Sequence, residues 1–156
     1  MMPHIHLLMG ILVGLFLKNF GFDNSYILAF IIGSIIPDID IVLAYYQNKN
    51  HRHIFLHFPL FWLSLSFFFL LIKSPFFWVS LGGFFHLVID LIDWEIFFFA
   101  PFWMKGFSIL NLDYSEIFEN KTRYQSLKHY YSKRGIILIE LFIVISLILN
   151  ILILGY

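Results

Sequence analysis

The stretch SPFFWVSLGGFFHLVID, residues 74–90, decides the fold class. A serine followed by proline opens a helix without losing a backbone bond, because the proline stands where an N–H has no helical partner anyway. Beyond the proline the segment is polar only at Ser80, His86 and Asp90, and its apolar character continues to about residue 98. A run of that length predicts a helix that crosses a membrane. His86 and Asp90 are one helical turn apart and project from the same face. With the helix starting near Pro75, His86 lies about 16 Å along it at ~1.5 Å per residue, deep in hydrocarbon. Ionisable groups at that depth need a charge partner, so the pair predicts metal ligation. The plainer alternative is a hydrogen-bonded His–Asp pair that joins two helices. Gly82 and Gly83, one turn earlier, admit the close approach of another helix.

Outward from this segment, four more apolar stretches read as spans: 5–17, 25–46, 54–72 and 136–154. The first is short, and crosses if Lys18 snorkels and Phe20 and Phe22 extend it. Asp23-Asn24-Ser25 supplies helix-start chemistry for the second. The expected fold is all-α: a polytopic membrane helical bundle of about five spans, one domain over 1–156, with a polar cytoplasmic segment at about 104–135. Composition agrees, since 60% of residues are apolar, 13% are charged and 21 are Phe. No single core of this length could keep that much apolar surface from water, so lipid is the expected solvent. Residues 1–17 lack a basic start and a small-residue cleavage site, so they read as part of the mature chain and keep His6 available.

A formal net charge of zero leaves no footprint for nucleic acid. The absence of cysteine excludes disulfides and thiolate sites and leaves imidazole and carboxylate as ligand types. With five spans, Lys49, Arg52, Lys105, Lys121, Arg123, Lys128, Lys133 and Arg134 fall on one side of the membrane, and Lys18 and Lys73 on the other. The bias places the first group in the cytoplasm. His6, Asp38, Asp40, His51, His57, His86 and Asp90 then all lie in the cytoplasmic halves of their segments. Trp94, Trp103 and Trp78 are expected in interfacial belts.

Pro37-Asp38-Ile39-Asp40 interrupts an apolar helix. Proline removes a backbone bond and frees the carbonyl near Gly33, which lets the carboxylates turn inward. Two acids at a helix C-terminus as mere decoration would be electrostatically unfavourable. His51-Arg52-His53 and His57 open the next segment, with Arg52 placed to contact an anionic substrate. His53 reads equally well as part of a basic loop, and Asp93 as a support to Asp90. His4, His129 and Glu140 read as structural or solvated.

At these residues the chain resembles the prokaryotic membrane-bound metal-dependent hydrolases, a family of small inner-membrane proteins. The resemblance lies in His6-Leu7-Leu8, in Pro37 to Asp40, in His51 and Arg52 with His57, and in Gly82, His86 and Asp90, over about the first two thirds of the chain. The chain departs from the family pattern by one extra residue between Arg52 and His57, and by Phe58 in place of a serine. The resemblance implies a metal-activated water that attacks an ester-like bond.

The sequence therefore predicts a cytoplasm-facing site for one or two divalent ions, zinc or manganese, with His6, Asp38, Asp40, His51, His57, His86 and Asp90 as ligands. Asp40 doubles as general base or bridging ligand, and Arg52 steadies an anionic lipid or phosphoester substrate. The zinc-protease signature His-Glu-x-x-His is absent, which disfavours that route to peptide hydrolysis. Two other functions compete: a divalent metal transporter, which needs ligands on both membrane halves where the outer half offers little beyond Asp23 and Asn150, and a non-catalytic scaffold with a closed structural metal.

Overall fold

The computed structural model describes residues 3–39, 55–110, 123–132 and 134–154. Among them there is no β-strand, only two isolated bridges, Ile96 with Phe107 and Phe99 with Trp103. The described residues hold six α-helices in chain order: α1 Pro3–Asn19, α2 Asn24–Gly33, α3 Pro59–Leu71, α4 Phe76–Asp90, α5 Arg123–Ser132 and α6 Arg134–Leu154. Among the described residues between α2 and α3, Ile36–Ile39 and Phe55–His57 form short 3₁₀ turns.

Local chemistry explains where the helices stop. Gly21 has φ 79°, and the bonds Gly21 N–H to Lys18 O and Phe22 N–H to Leu17 O close the end of α1. That is the left-handed terminus glycine favours. Lys73, at φ 51°, ends α3 with the same bond pattern, Lys73 N–H to Leu70 O and Ser74 N–H to Phe69 O. At the start of α4 the Ser74 hydroxyl accepts from the Phe76 N–H, as a helix-start serine should.

Three segments are shorter than their apolar runs predicted. The run 25–46 yields ten residues of α-helix before the backbone tightens into the 3₁₀ turn at Pro37. In the run 54–72 the α-helix begins only at Pro59, its first helical position, and Phe55–His57 form a 3₁₀ turn ahead of it. The run 75–98 ends its helix at Asp90 and continues as turns. Fifteen residues of α4 reach about 22 Å, short of the ~30 Å hydrocarbon core. Among the described residues only Gly135–Ile153 is long and apolar enough for a complete span.

Helix α4 is central, with α2 and α3 against it, while α1 lies between α2 and α6. The crossing of α2 and α4 is backbone to backbone: a Cβ on Gly82 would stand 2.2 Å from Phe30 O, and one on Gly33 2.0 Å from Val79 O. Gly83 leaves room for the Trp62 ring of α3. Buried apolar residues form three clusters, around Ile5, Ile89 and Ile143; around Trp62, Leu87 and Ile96; and around Trp94, Tyr130 and Ile136. Trp94 therefore corrects the expectation of an interfacial belt. It is buried and stacks on Tyr130, ring centroids 5.8 Å apart. Much of the outer surface is apolar, with Phe67, Leu71, Phe76, Phe142 and Leu152 more than half exposed.

Candidate metal centre

The tight crossing of α2 on α4 brings a broken helix end against a histidine. In the 3₁₀ register after α2, Ile35 N–H bonds Ile32 O and Asp38 N–H bonds Ile35 O. The carbonyl between these, that of Ser34, would pair with residue 37, but Pro37 has no N–H. His86 takes its place, with Nδ1 2.8 Å from Ser34 O. A carbonyl only accepts, so Nδ1 carries the proton and Nε2 is left with its lone pair. On α-helical spacing the carbonyl freed by Pro37 lies near Gly33; 3₁₀ spacing moves it one residue on, to Ser34. Ser34 itself was not singled out.

The Nε2 of His86 faces two carboxylates, 3.7 Å from Asp38 Oδ1 and 3.7 Å from Asp90 Oδ2. Asp90 also receives His6 from α1, Nε2 to Oδ1 3.0 Å, and His57 from the turn before α3, Nε2 to Oδ2 3.6 Å. His6 stacks on His86 with ring centroids 3.7 Å apart, and His57 meets His86 edge to face at 5.7 Å. His6, His57, His86 and Asp90 are at most 2% exposed, and Asp38 is half-buried. Four elements thus deliver five ligand-type side chains to one buried point.

Each element has its own anchor. The turn carrying His57 is tied by the Trp62 indole N–H, which donates to Leu56 O at 2.7 Å. His6 lies where α1 meets α2: the Ser34 hydroxyl approaches His6 O at 3.4 Å while donating to Ile31 O at 2.7 Å. Trp62, like Ser34, gave no sequence signal as a support, because it looked like any aromatic in an apolar run.

The donor set fits a metal ion better than a network of direct pairs. Hydrogen bonds between these atoms need about 2.7–3.2 Å, and three of the four nitrogen–oxygen distances exceed that. Donors bound ~2.0–2.2 Å from one ion in a tetrahedral shell lie about 3.3–3.6 Å apart, and the observed 3.0 to 3.7 Å straddles that range. The Nδ1 of His6, the Nε2 of His86 and the Oδ2 of Asp38 are buried without a hydrogen-bond partner. Leaving such atoms unpaired is costly unless something coordinates them. Two triads have mutually close donor atoms, His6 with Asp38 and His86, and His57 with His86 and Asp90. They share His86.

Of the other expected site residues, Asp40, His51, Arg52 and His53 lie outside the described residues. Asp93 is buried, and its Oδ2 accepts from the Tyr130 hydroxyl at 2.8 Å. Burial and the neighbouring Asp93 push the Tyr130 phenol well above its ordinary range, so it stays protonated and donates. Tyr130 was not anticipated from sequence.

A family model described as YdjM inner membrane protein matches residues 1–155, and the chain belongs to that family. The protein is accordingly an inner-membrane protein, associated with the lipid bilayer. No curated protein and no solved structure matches the chain.

Proposed function

We propose that this YdjM-family chain is a multi-pass, membrane-embedded, metal-dependent hydrolase acting from the cytoplasmic side on a lipid or phosphoester substrate. The observation that carries the metal half of the proposal is the convergence of His6, Asp38, His57, His86 and Asp90, four of them buried and Asp38 half-buried, with three of the four nitrogen–oxygen approaches longer than a hydrogen bond. Mixed imidazole and carboxylate donors suit zinc or manganese. The two triads share the single lone pair of His86 Nε2, since its Nδ1 is committed to Ser34 O. This favours one ion over two at these five residues.

The hydrolytic half rests on the family resemblance of the motifs. A divalent ion held there supplies Lewis acidity, which polarises an ester-like bond and acidifies water. The chain's own residues do the rest. His86, fixed by Ser34, holds its ligand nitrogen in one orientation, the kind of support that tunes metal sites. Asp40 follows the Asp38 ligand closely and takes the role of proton acceptor or further ligand; Arg52, with His51, supplies the anion contact.

Support for several crossings comes from the packing of α1 to α4 and their exposed apolar faces, which need lipid even where each helix is short. Broken helices at membrane depth are tolerated where the irregular backbone is covered by protein, and the Ser34 carbonyl meets that condition through His86. The lysine and arginine bias sets the site on the cytoplasmic side.

The test is metal-dependent release from a panel of phospholipids, lipid diphosphates and generic phosphoesters in detergent. Asp40→Asn is expected to abolish turnover with the ion retained, and Arg52→Ala to weaken mainly the use of anionic substrates. If the metal-loaded protein cleaves none of the panel, while proteoliposomes show ion flux that His86→Ala abolishes, transport replaces hydrolysis.

A further inference from the structure

We propose that Tyr130 and Asp93 form a latch that docks the polar helix α5 beside the metal centre and so positions Asp90 within it. The latch presupposes the proposed metal site.

Helix α5 has the sequence RYQSLKHYYS and exposes Tyr124, Gln125, Lys128 and Ser132. Tyr130, in contrast, is 0% exposed. Its ring stacks nearly parallel on Trp94, and its hydroxyl donates to the buried Asp93. A phenylalanine would bury the same ring; the hydroxyl adds a directional bond to a buried carboxylate. The latch ends on the turn at the C-terminus of α4. There the amide N–H groups of Asp93 and Trp94 both donate to the Asp90 carbonyl, at 3.2 and 2.8 Å. The turn is braced on its other side, where Ile109 and Leu110 N–H groups bond Leu91 O and Ile92 O. Asp90 is faced by three imidazoles of the candidate shell, those of His6, His57 and His86. A shift of the turn that carries Asp93 is therefore a rotation of Asp90 against three imidazoles. Tyr130 and Asp93 act through Asp90, as positioning residues.

Coupling of this kind is reciprocal: if docking of α5 tightens the metal site, a bound ion must tighten the docking by the same factor. The experiment is hydrogen exchange over residues 123–132 of the detergent-purified chain, with zinc added or removed by chelator, alongside zinc affinity by chelator competition. In the wild type, zinc is expected to slow exchange in this segment. Tyr130→Phe is expected to lose that slowing and to bind zinc about 10-fold more weakly, at the low end for residues that support ligands indirectly. Its zinc-induced rise in thermal midpoint should shrink by more than the zinc-free midpoint falls, which a merely structural loss would not produce. Asp93→Asn keeps an oxygen to accept from the phenol and should retain most of the affinity. Wild-type protein that binds zinc with no change in exchange over 123–132 overturns the latch even if Tyr130→Phe does not fold. So does unchanged affinity in Tyr130→Phe, or an Asp93→Asn loss as large as that of Tyr130→Phe. A wild type that binds no zinc refutes instead the metal site on which the latch depends.

Discussion

Replacing Gly82 by alanine tests how the fold makes the site without touching any ligand. The new Cβ would stand 2.2 Å from Phe30 O, 2.9 Å from Ser34 N and 3.0 Å from Gly33 C, all backbone atoms that no side-chain rotation can clear. Bringing the closest contact to 3.0 Å, below which real Cβ contacts essentially never fall, moves α2 by about 0.8 Å. Carried to Ser34 O, the same displacement stretches the His86 Nδ1 bond from 2.8 Å to about 3.6 Å, beyond hydrogen-bond range. The packing strain should cost about 1–3 kcal/mol of stability. Loss of the bond that orients a ligand histidine should weaken metal affinity about 10- to 100-fold. The assays are thermal unfolding in detergent and zinc competition with a chelator. Gly135→Ala is the control, because the nearest atom to its Cβ, Leu110 Cδ1, is 4.0 Å away and the position lies in helix α6. There the change should be neutral or stabilising by about 0.5–1 kcal/mol, with affinity unchanged. A folded Gly82→Ala protein with wild-type zinc affinity would refute the link from helix crossing to ligand orientation.

Two further outcomes are expected. Trp62→Phe removes the indole bond to Leu56 O and should loosen the His57 turn, lowering metal affinity several-fold while leaving most of the ring packing on Gly83; unchanged affinity would show that the turn holds His57 without it. In this cysteine-free chain, Tyr156→Cys should be labelled by an impermeant reagent only from outside the cell, and a cysteine placed in 105–122 only from inside. Labelling of Tyr156→Cys from inside alone would remove one crossing from the proposed five.

The helical class and the position of most segments were legible because composition leaves lipid as the only solvent for the apolar runs and turn chemistry marks their ends. The pairing of His86 with Asp90 follows from one-turn spacing, and the close approach of another helix to α4 from Gly82 and Gly83, while the identity of that helix as α2 does not show in the spacing. Lengths were less legible. Hydropathy continues through Pro37 and past Asp90, so it does not register where the backbone tightens to 3₁₀ or turns away. The same blindness explains Trp94, whose apolar neighbours look alike at a lipid interface and under a docked helix. Ser34 and Tyr130 were missed because their roles come from long-range partners, His86 and Asp93, that sequence spacing does not bring together.

Whether His6, Asp38, His57, His86 and Asp90 surround a divalent ion is decided by metal analysis of protein purified in detergent without chelator. About one zinc or manganese per chain is expected, lost in His86→Ala and in Asp90→Asn, with the folded helical content of both variants retained. Folded wild-type protein without stoichiometric metal, or variants that keep it, would contradict the account.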